Sequence, residues 1–240
     1  MMKTMIGILK PGAAPEKLAA EQGDYDALFR ELLGEEEFEY VTYGVEKGIF
    51  PKDATVADGW IITGSRHGVY EEHDWIAPLE QFIRDIQQSR RPLVGICFGH
   101  QIVAQALGGR VERASHGWIA GPQKYTDVSG DEFCVNAWHR DQVVEAPAGA
   151  EIFASGEGCS IAGLKYGSNI LTLQPHPEFS LKYLAGLFAE RGAVLPEKVR
   201  KSILSGNGNG AVNQQYVAGL IRGVLMVHEK STSNKSPLDP

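Results

Sequence analysis

The sequence predicts an α/β fold: a mostly parallel, open sheet with helices on both faces, extra antiparallel strands, and helices at the C-terminal end. Three observations predict it. Over roughly the first hundred residues, short apolar runs alternate with amphipathic stretches, the pattern of a parallel sheet covered on both sides. From Gly109 to about Leu173 there are strand-like runs and turn signals with no helical period. Beyond that, helical spacing returns.

The elements follow in order. "MIGIL" reads as a first strand. "YDALFRELL" reads as a helix with Leu28, Phe29, Leu32 and Leu33 on one face. "EFEYVTYGV" is a strand with partial alternation, and "GWIITG" is a short buried strand. "WIAPLEQFIRDIQQ" is amphipathic, with Ile76, Leu79, Phe82, Ile83 and Ile86 at helical spacing. "PLVGICFGHQIVAQALGG" combines a buried strand from Leu93 to Ile96, a turn at Cys97, and a helix over 100–107. "GPQKYTDVSGDEFCVNAWHRD" reads as two strands around a Ser-Gly-Asp turn, and "SIAGLKYGSNILTLQ" as a hairpin around "YGSN". Antiparallel strands are therefore expected to extend or flank the parallel core. Ser180 is placed to cap a helix carrying Leu184, Leu187 and Phe188, and a short helix is expected from near Pro196. After a "SGNGNG" loop, the last helix carries an apolar stripe of Val212, Tyr216, Val217, Leu220, Ile221, Val224 and Leu225, expected to pack on the main domain. The polar end reads as a frayed tail. The expected partition is a main domain over 1–190, a helical extension packed on it over 191–229, and a flexible tail over 230–240.

Composition narrows the function classes. The 240 residues are 43% hydrophobic and 22% charged, ordinary for a globular protein. A net charge of −7 argues against a nucleic-acid partner. The small basic cluster of Lys198, Arg200 and Lys201 reads as a solvated helix face. No apolar stretch reaches membrane-span length, so no membrane partner is expected. "MMKTMIGILKPG" is too short for a signal sequence. Three cysteines, odd in number and far apart, do not suggest a disulfide framework, and a cytoplasmic location is expected. Cys134 and Cys159 read as structural. With no CxxC pair and no histidine pair at helical metal-site spacing, neither a metal nor a cofactor is expected.

Cys97 is different. Gly95-Ile96-Cys97-Phe98-Gly99 has the G-x-S-x-G spacing of a nucleophile elbow, with Cys in place of Ser. Such a strand-to-helix turn strains the backbone at the nucleophile, and small flanking residues let the chain approach itself. It presents the side chain at the C-terminal edge of the sheet, where ligands bind in open α/β folds. The helix N-terminus favours a thiolate and points N–H groups at a developing oxyanion. A base is still needed. "TLQPHPEF" offers His176 at the end of another apolar strand, with Glu178 two residues on. In an extended segment the two would point to the same side, giving nucleophile, base and orienter.

Together, "GICFGHQIVAQALGG" and "QPHPEF" resemble the class I glutamine amidotransferases, over roughly residues 1–190. "WIITGSRHGVYEEHDWI" is similar to the family's oxyanion strand and loop, "GICFGHQ" keeps the glutamine after the nucleophile, and "WHRDQV" stands at its substrate-side segment. The chain resembles in particular the free-standing GMP-synthase-like amidotransferase domains and the gamma-glutamyl peptidases. The resemblance implies a flavodoxin-like sheet and hydrolysis of a γ-glutamyl amide through a thioester. It implies that Cys97 attacks, that His176 moves the proton, and that Glu178 holds His176. It assigns oxyanion donation to the backbones of Gly64 and Phe98. It assigns substrate binding to Gln101 and the segment Trp138, His139, Arg140. Many members have a Gly-Gly-Pro turn in the oxyanion loop, where this chain has Gly64-Ser65-Arg66, so the path after Gly64 is open.

Other histidines carry less. His139 and Asp141 can be strand-end contacts as well as site groups. Tyr70, His67 and His73 share a loop that can form a lid or select substrate. His100 is expected to do no catalytic work, and His116 and His228 give no signal. The chain shows no G-x-x-x-x-G-K-[ST] phosphate loop and no second domain for an acceptor. One reading is a free-standing hydrolase acting on glutamine or a γ-glutamyl amine or peptide. Another is a glutaminase subunit serving a separate synthetase chain. A third is a non-catalytic regulatory module. An unrelated α/β-hydrolase would place the acid before the histidine in the chain, which is not the order here.

Overall fold

A computed structural model describes residues 2–205 and 212–227. Residues 206–210 of the expected glycine-rich loop, the expected tail at 230–240, and His228 lie outside the described residues.

The chain opens with β1 (Thr4–Leu9), then α1 (Glu16–Gln22) and α2 (Tyr25–Leu33). Sequence periodicity does not reveal α1, because Leu18 is its only buried residue. Asp24 caps α2: its Oδ1 accepts from the backbone N–H of Tyr25 and from that of Ala14, both at 2.8 Å. Then come β2 (Phe38–Tyr43), β3 (Gly59–Ile62), α3 (Ile76–Gln88), β4 (Leu93–Ile96) and α4 (Phe98–Ala106). The last of these starts two residues before the expected 100. Seven strands follow without an intervening α-helix: β5 (Arg110–Arg113), β6 (Ile119–Asp127), β7 (Glu132–His139), β8 (Asp141–Glu145), β9 (Glu151–Gly156), β10 (Cys159–Tyr166) and β11 (Ile170–Leu173). The described chain closes with α5 (Leu181–Arg191), α6 (Glu197–Leu204) and α7 (Gln214–Leu225). Ser180 caps α5, its hydroxyl accepting from Tyr183 N–H at 3.0 Å.

Nine strands form one sheet in the order β2-β1-β3-β4-β11-β10-β9-β6-β7. The first five pair in parallel, and the other four continue antiparallel. The parallel part has the 2-1-3-4-5 order of flavodoxin-like sheets. β5 and β8 form a separate antiparallel ribbon.

Alternation along the strands sends residues to two cores. On one face Trp60, Ile62 and Leu93 meet Leu79, Phe82, Ile83 and Ile86 of α3 and Ile102 and Val103 of α4. On the other face Ile6, Ile8, Val94, Ile96, Leu171 and Leu173 meet Phe29, Leu32 and Leu33 of α2. Val217, Ala218, Ile221 and Leu225 of α7 fill the same layer. So α7 packs on the sheet, and its entry is tied to β7. Asn213 N–H donates to Cys134 O at 2.9 Å, and Cys134 N–H donates to Asn213 Oδ1 at 2.7 Å. Gln214 Nε2 also donates to the carbonyl of Pro177 at 2.5 Å. Among the described residues no helix is long and apolar enough to cross a membrane.

Candidate active site

The C-terminal ends of three neighbouring parallel strands, β3, β4 and β11, build the site. Chain leaving β4 turns at once into α4, and Cys97 takes the turn at φ 54°, ψ −102°. A side chain rarely adopts that conformation, and Arg90 is the only other non-glycine with positive φ among the described residues. Strain of this kind persists where the surroundings over-determine it. Here they do. Cys97 N–H donates to Leu173 O at 2.8 Å, and Cys97 O accepts from Gln101 N–H at 3.0 Å. The flanking glycines allow the close approach. A Cβ on Gly95 would lie 2.5 Å from the carbonyl oxygen of Gly99, and one on Gly99 would lie 2.3 Å from that of Ile62. Phe98 opens α4, so its N–H has no carbonyl four residues back within the helix.

His176 follows β11 by three residues. The sequence expectation of an extended His176–Glu178 segment is corrected here: it is a turn, closed by Phe179 N–H donating to His176 O at 3.3 Å. The pair still meets, with His176 Nδ1 2.7 Å from Glu178 Oε1. Pro177 between them favours a turn over a continuing strand. Phe179 stacks on the imidazole with ring centroids 4.0 Å apart and planes 6° from parallel. Both His176 and Glu178 are buried. Burial pushes the His176 imidazole down. The Glu178 carboxylate and the Cys97 sulfur, which shares a hydrogen bond with the ring, outweigh burial and raise it to about 10. Gly64 fits against both partners: a Cβ there would lie 2.9 Å from His176 Cε1 and 3.8 Å from Cys97 Cβ.

Cys97, His176 and Phe179 line a cavity of about 300 Å³. Gln101, Trp138, His139 and Arg140 all line it. The Gln101 amide donates from Nε2 to Asp141 O at 2.7 Å and to Gln174 Oε1 at 3.1 Å, which leaves its own Oε1 for another partner. His139 is buried, and burial, with His176 beside it, lowers its imidazole to about 3. The Arg140 guanidinium lies 5.6 Å over the Trp118 ring, which packs edge-on to Trp138 at 6.1 Å. The loop after Gly64 is pinned. Ser65 Oγ donates to Pro11 O at 2.9 Å and accepts from His67 N–H at 3.1 Å.

Other expected residues stand elsewhere. Tyr70 is exposed and outside the cavity lining. His67 is in the lining, and on its loop it meets Glu71 and His73. His100 lies buried between Thr172 Oγ1, at 2.8 Å, and Ile161 O, at 3.2 Å. His116 contacts Gly158 O at 2.8 Å. Cys134 and Cys159 are buried, and none of the three cysteines is in a disulfide.

Sequence reasoning missed several residues. Asn136 pairs with the His176 backbone as an isolated bridge, and no local signal marks it. Phe179 was visible in "QPHPEF", but its stacking role was not. Arg66, Trp118 and Arg191 line the cavity and come from three separate parts of the chain.

Comparison with known proteins bears on the family and the fold. A family model described as glutamine amidotransferase class-I matches residues 37–190. Gamma-glutamyl peptidase 3 of Arabidopsis thaliana is 30% identical over 178 residues, covering 68% of this chain and 72% of that protein. A glutamine-hydrolyzing GMP synthase subunit of Methanocaldococcus jannaschii is 38% identical over 98 residues, covering 38% of this chain and 52% of that protein. The crystal structure of a glutamine amidotransferase from Thermotoga maritima superposes with a TM-score of 0.69 at 21% identity, covering 94% of this chain and 98% of that one, a likeness of fold. With the matched model spanning the strands that carry the cysteine and histidine, the chain belongs to the class-I glutamine amidotransferase family.

Proposed function

We propose that the chain hydrolyses a γ-glutamyl amide bond, with Cys97 as nucleophile, His176 as base and acid, and Glu178 as its orienter. One observation carries the reading: a cysteine held at positive φ shares a cavity with a histidine whose Nδ1 meets a buried carboxylate at 2.7 Å. The Cys97 sulfur attacks the γ-carbonyl, forming a C–S bond and moving the carbonyl electron pair onto oxygen. The N–H groups of Gly64 and Phe98 receive that oxyanion. Collapse breaks the C–N bond, and His176 gives its proton to the departing amine. His176 then takes a proton from water, whose oxygen attacks the thioester. The C–S bond breaks and glutamate leaves. Gln101, Trp138, His139 and Arg140 hold the α-amino and α-carboxylate end of the glutamyl group.

Three cationic side chains, Arg66, Arg140 and Arg191, share the cavity with Trp118 and Trp138 and outnumber its two carboxylates, Glu71 and Asp141. One arginine suffices for the glutamyl α-carboxylate. The excess of cation and aromatic surface favours a leaving amine with its own carboxylate, as in a γ-glutamyl peptide, over ammonia. The 30% identity to a gamma-glutamyl peptidase supports this choice. Three cysteines outside disulfides, the proposed nucleophile among them, suit the reducing cytoplasm. The second reading is a glutaminase subunit that serves a separate synthetase, and the likeness to a GMP synthase subunit favours it.

The test is glutamate release by the purified chain from glutamine and from a panel of γ-glutamyl amines and dipeptides, with Cys97→Ala as control. Dipeptide turnover that the control lacks is expected. Turnover retained in the control would overturn the mechanism. Hydrolysis of glutamine alone, appearing on addition of a synthetase chain, would establish the second reading instead.

A further inference from the structure

We propose that His67, Glu71 and His73 form a binding site for a divalent transition-metal ion of the zinc type at the rim of the cavity. The site does not depend on the reaction assigned to Cys97. Each residue turns one ligand atom inward, and the three atoms lie within 4.8 Å of one another. Glu71 Oε2 is 3.2 Å from His67 Nδ1 and 2.9 Å from His73 Nε2. Zinc bonds of about 2.0–2.1 Å in a tetrahedron place neighbouring ligand atoms about 3.3 Å apart. Two of the three edges are therefore close to their metal-bound lengths. The third, between the imidazoles, is no longer than 4.8 Å.

The donor set is chemically apt. Two imidazoles and one carboxylate make the borderline-soft combination that zinc-type ions take, and three protein ligands leave one coordination position open. His67 and Glu71 line the same cavity as Cys97. The side chains of His67, Glu71 and His73 are 19%, 43% and 32% exposed, which lets an ion reach them from solvent.

Both imidazoles are held in place already. His73 stacks on Trp75 at 5.5 Å with planes 10° apart, and Trp75 is buried against Phe98 at 5.7 Å. His67 packs edge-on to His73 at 4.4 Å, and its backbone N–H is anchored on Ser65 Oγ. Such preorganisation lowers the ordering cost of binding. The simpler account is a hydrogen-bonded His–Glu–His trio that never takes a metal. The two accounts separate on zinc affinity, because only a chelating trio binds the ion as one unit.

The experiment is calorimetric titration of Zn²⁺ into the Cys97→Ala chain, which removes Cys97 as a competing ligand. Visible absorption of added Co²⁺ reports the coordination. Stoichiometric binding of one ion per chain is expected. Glu71→Gln and His73→Gln, each made in the Cys97→Ala chain, should weaken it by more than about tenfold, since losing a direct ligand costs at least as much as losing an outer-shell partner. Circular dichroism without metal checks that these exposed substitutions leave the fold intact. Absence of stoichiometric binding would overturn the proposal. Binding unchanged in both variants would overturn it too, by placing the ion elsewhere.

Discussion

Asn136 grips the backbone that carries His176. Its carbonyl accepts from His176 N–H at 2.8 Å, and its side-chain amide donates to Phe179 O at 2.7 Å, so one residue of β7 fixes both ends of the histidine turn. The residue is fully buried. Asn136→Ala strips the Phe179 carbonyl of its donor, and a buried acceptor left unpaired costs about 1–3 kcal/mol. Denaturant unfolding should show that loss. Catalytic turnover should fall as well, because the imidazole loses its fixed position. Unchanged turnover in a destabilised variant would limit Asn136 to a structural role.

Cys97 separates chemistry from strain. Cys97→Ala and Cys97→Gly should both lose turnover by several orders of magnitude, since neither has a nucleophile. Their stabilities should differ. Alanine must still adopt φ 54°, whereas glycine does so without steric cost. Cys97→Gly should be the more stable of the two by about 1 kcal/mol, read from unfolding midpoints. Equal stabilities would mean that the elbow stores no strain. On the other side of the triad, Glu178→Gln should cost less activity than His176→Ala, because an orienter contributes less than the base it orients.

Two glycines should fail in different ways. Gly64→Ala sets a Cβ 2.9 Å from His176 Cε1, and the ring cannot retreat because Phe179 stacks on it at 4.0 Å. Misplacement on this scale should lower kcat about a hundredfold with little change in melting temperature. Gly99→Ala sets a Cβ 2.3 Å from the Ile62 carbonyl oxygen, which is backbone and cannot give way. That variant should lose about 1–3 kcal/mol of stability, because α4 must lift from the sheet. The reverse pattern would separate Gly64 from the site.

Stability should depend on pH on both sides of neutrality. His176 is raised to about 10, so the folded state holds a proton that an unfolded histidine, at 6.5, releases. Its contribution is fully present below pH 6.5 and is lost as pH rises through about 10. His100 and His139 are depressed by burial, to about 4 and about 3. Their contributions are present above pH 6.5 and are lost as pH falls through those values. Unfolding midpoints should therefore peak near neutral pH. Glu178→Gln removes a cause of the His176 shift and should flatten the alkaline limb, and His100→Gln should flatten the acid limb. An alkaline limb unchanged by Glu178→Gln would dissociate the His176 proton from its carboxylate.

Much of this was legible in local chemistry. The strand-turn-helix around Cys97 showed because two glycines at fixed spacing and an apolar run state the turn directly. His176 and Glu178 showed because they lie two residues apart, although a turn closed by Phe179 brings them together and not an extended strand. α1 stayed hidden because one buried leucine makes no period. Asn136 stayed hidden because its partner His176 lies forty residues along the chain, and a single isolated bridge joins the two. The His67–Glu71–His73 trio escaped a search for helical spacing, since a loop, which has no fixed period, brings its members together.

The attachment of α7 has a consequence for biosynthesis. Asn213 binds Cys134 of β7, Gln214 binds the carbonyl beside His176, and β7 in turn holds the histidine turn. A nascent chain emerges from the ribosome with Cys97, His176 and Glu178 already made but with this fastening still inside the exit tunnel. A glutamine-like electrophile applied to ribosome-arrested chains of increasing length should label Cys97 efficiently only once α7 has emerged. Labelling at full rate on shorter chains would show that the fastening is dispensable. On this expectation α7, the last helix among the described residues, completes the site only after the cysteine, histidine and glutamate have all been made.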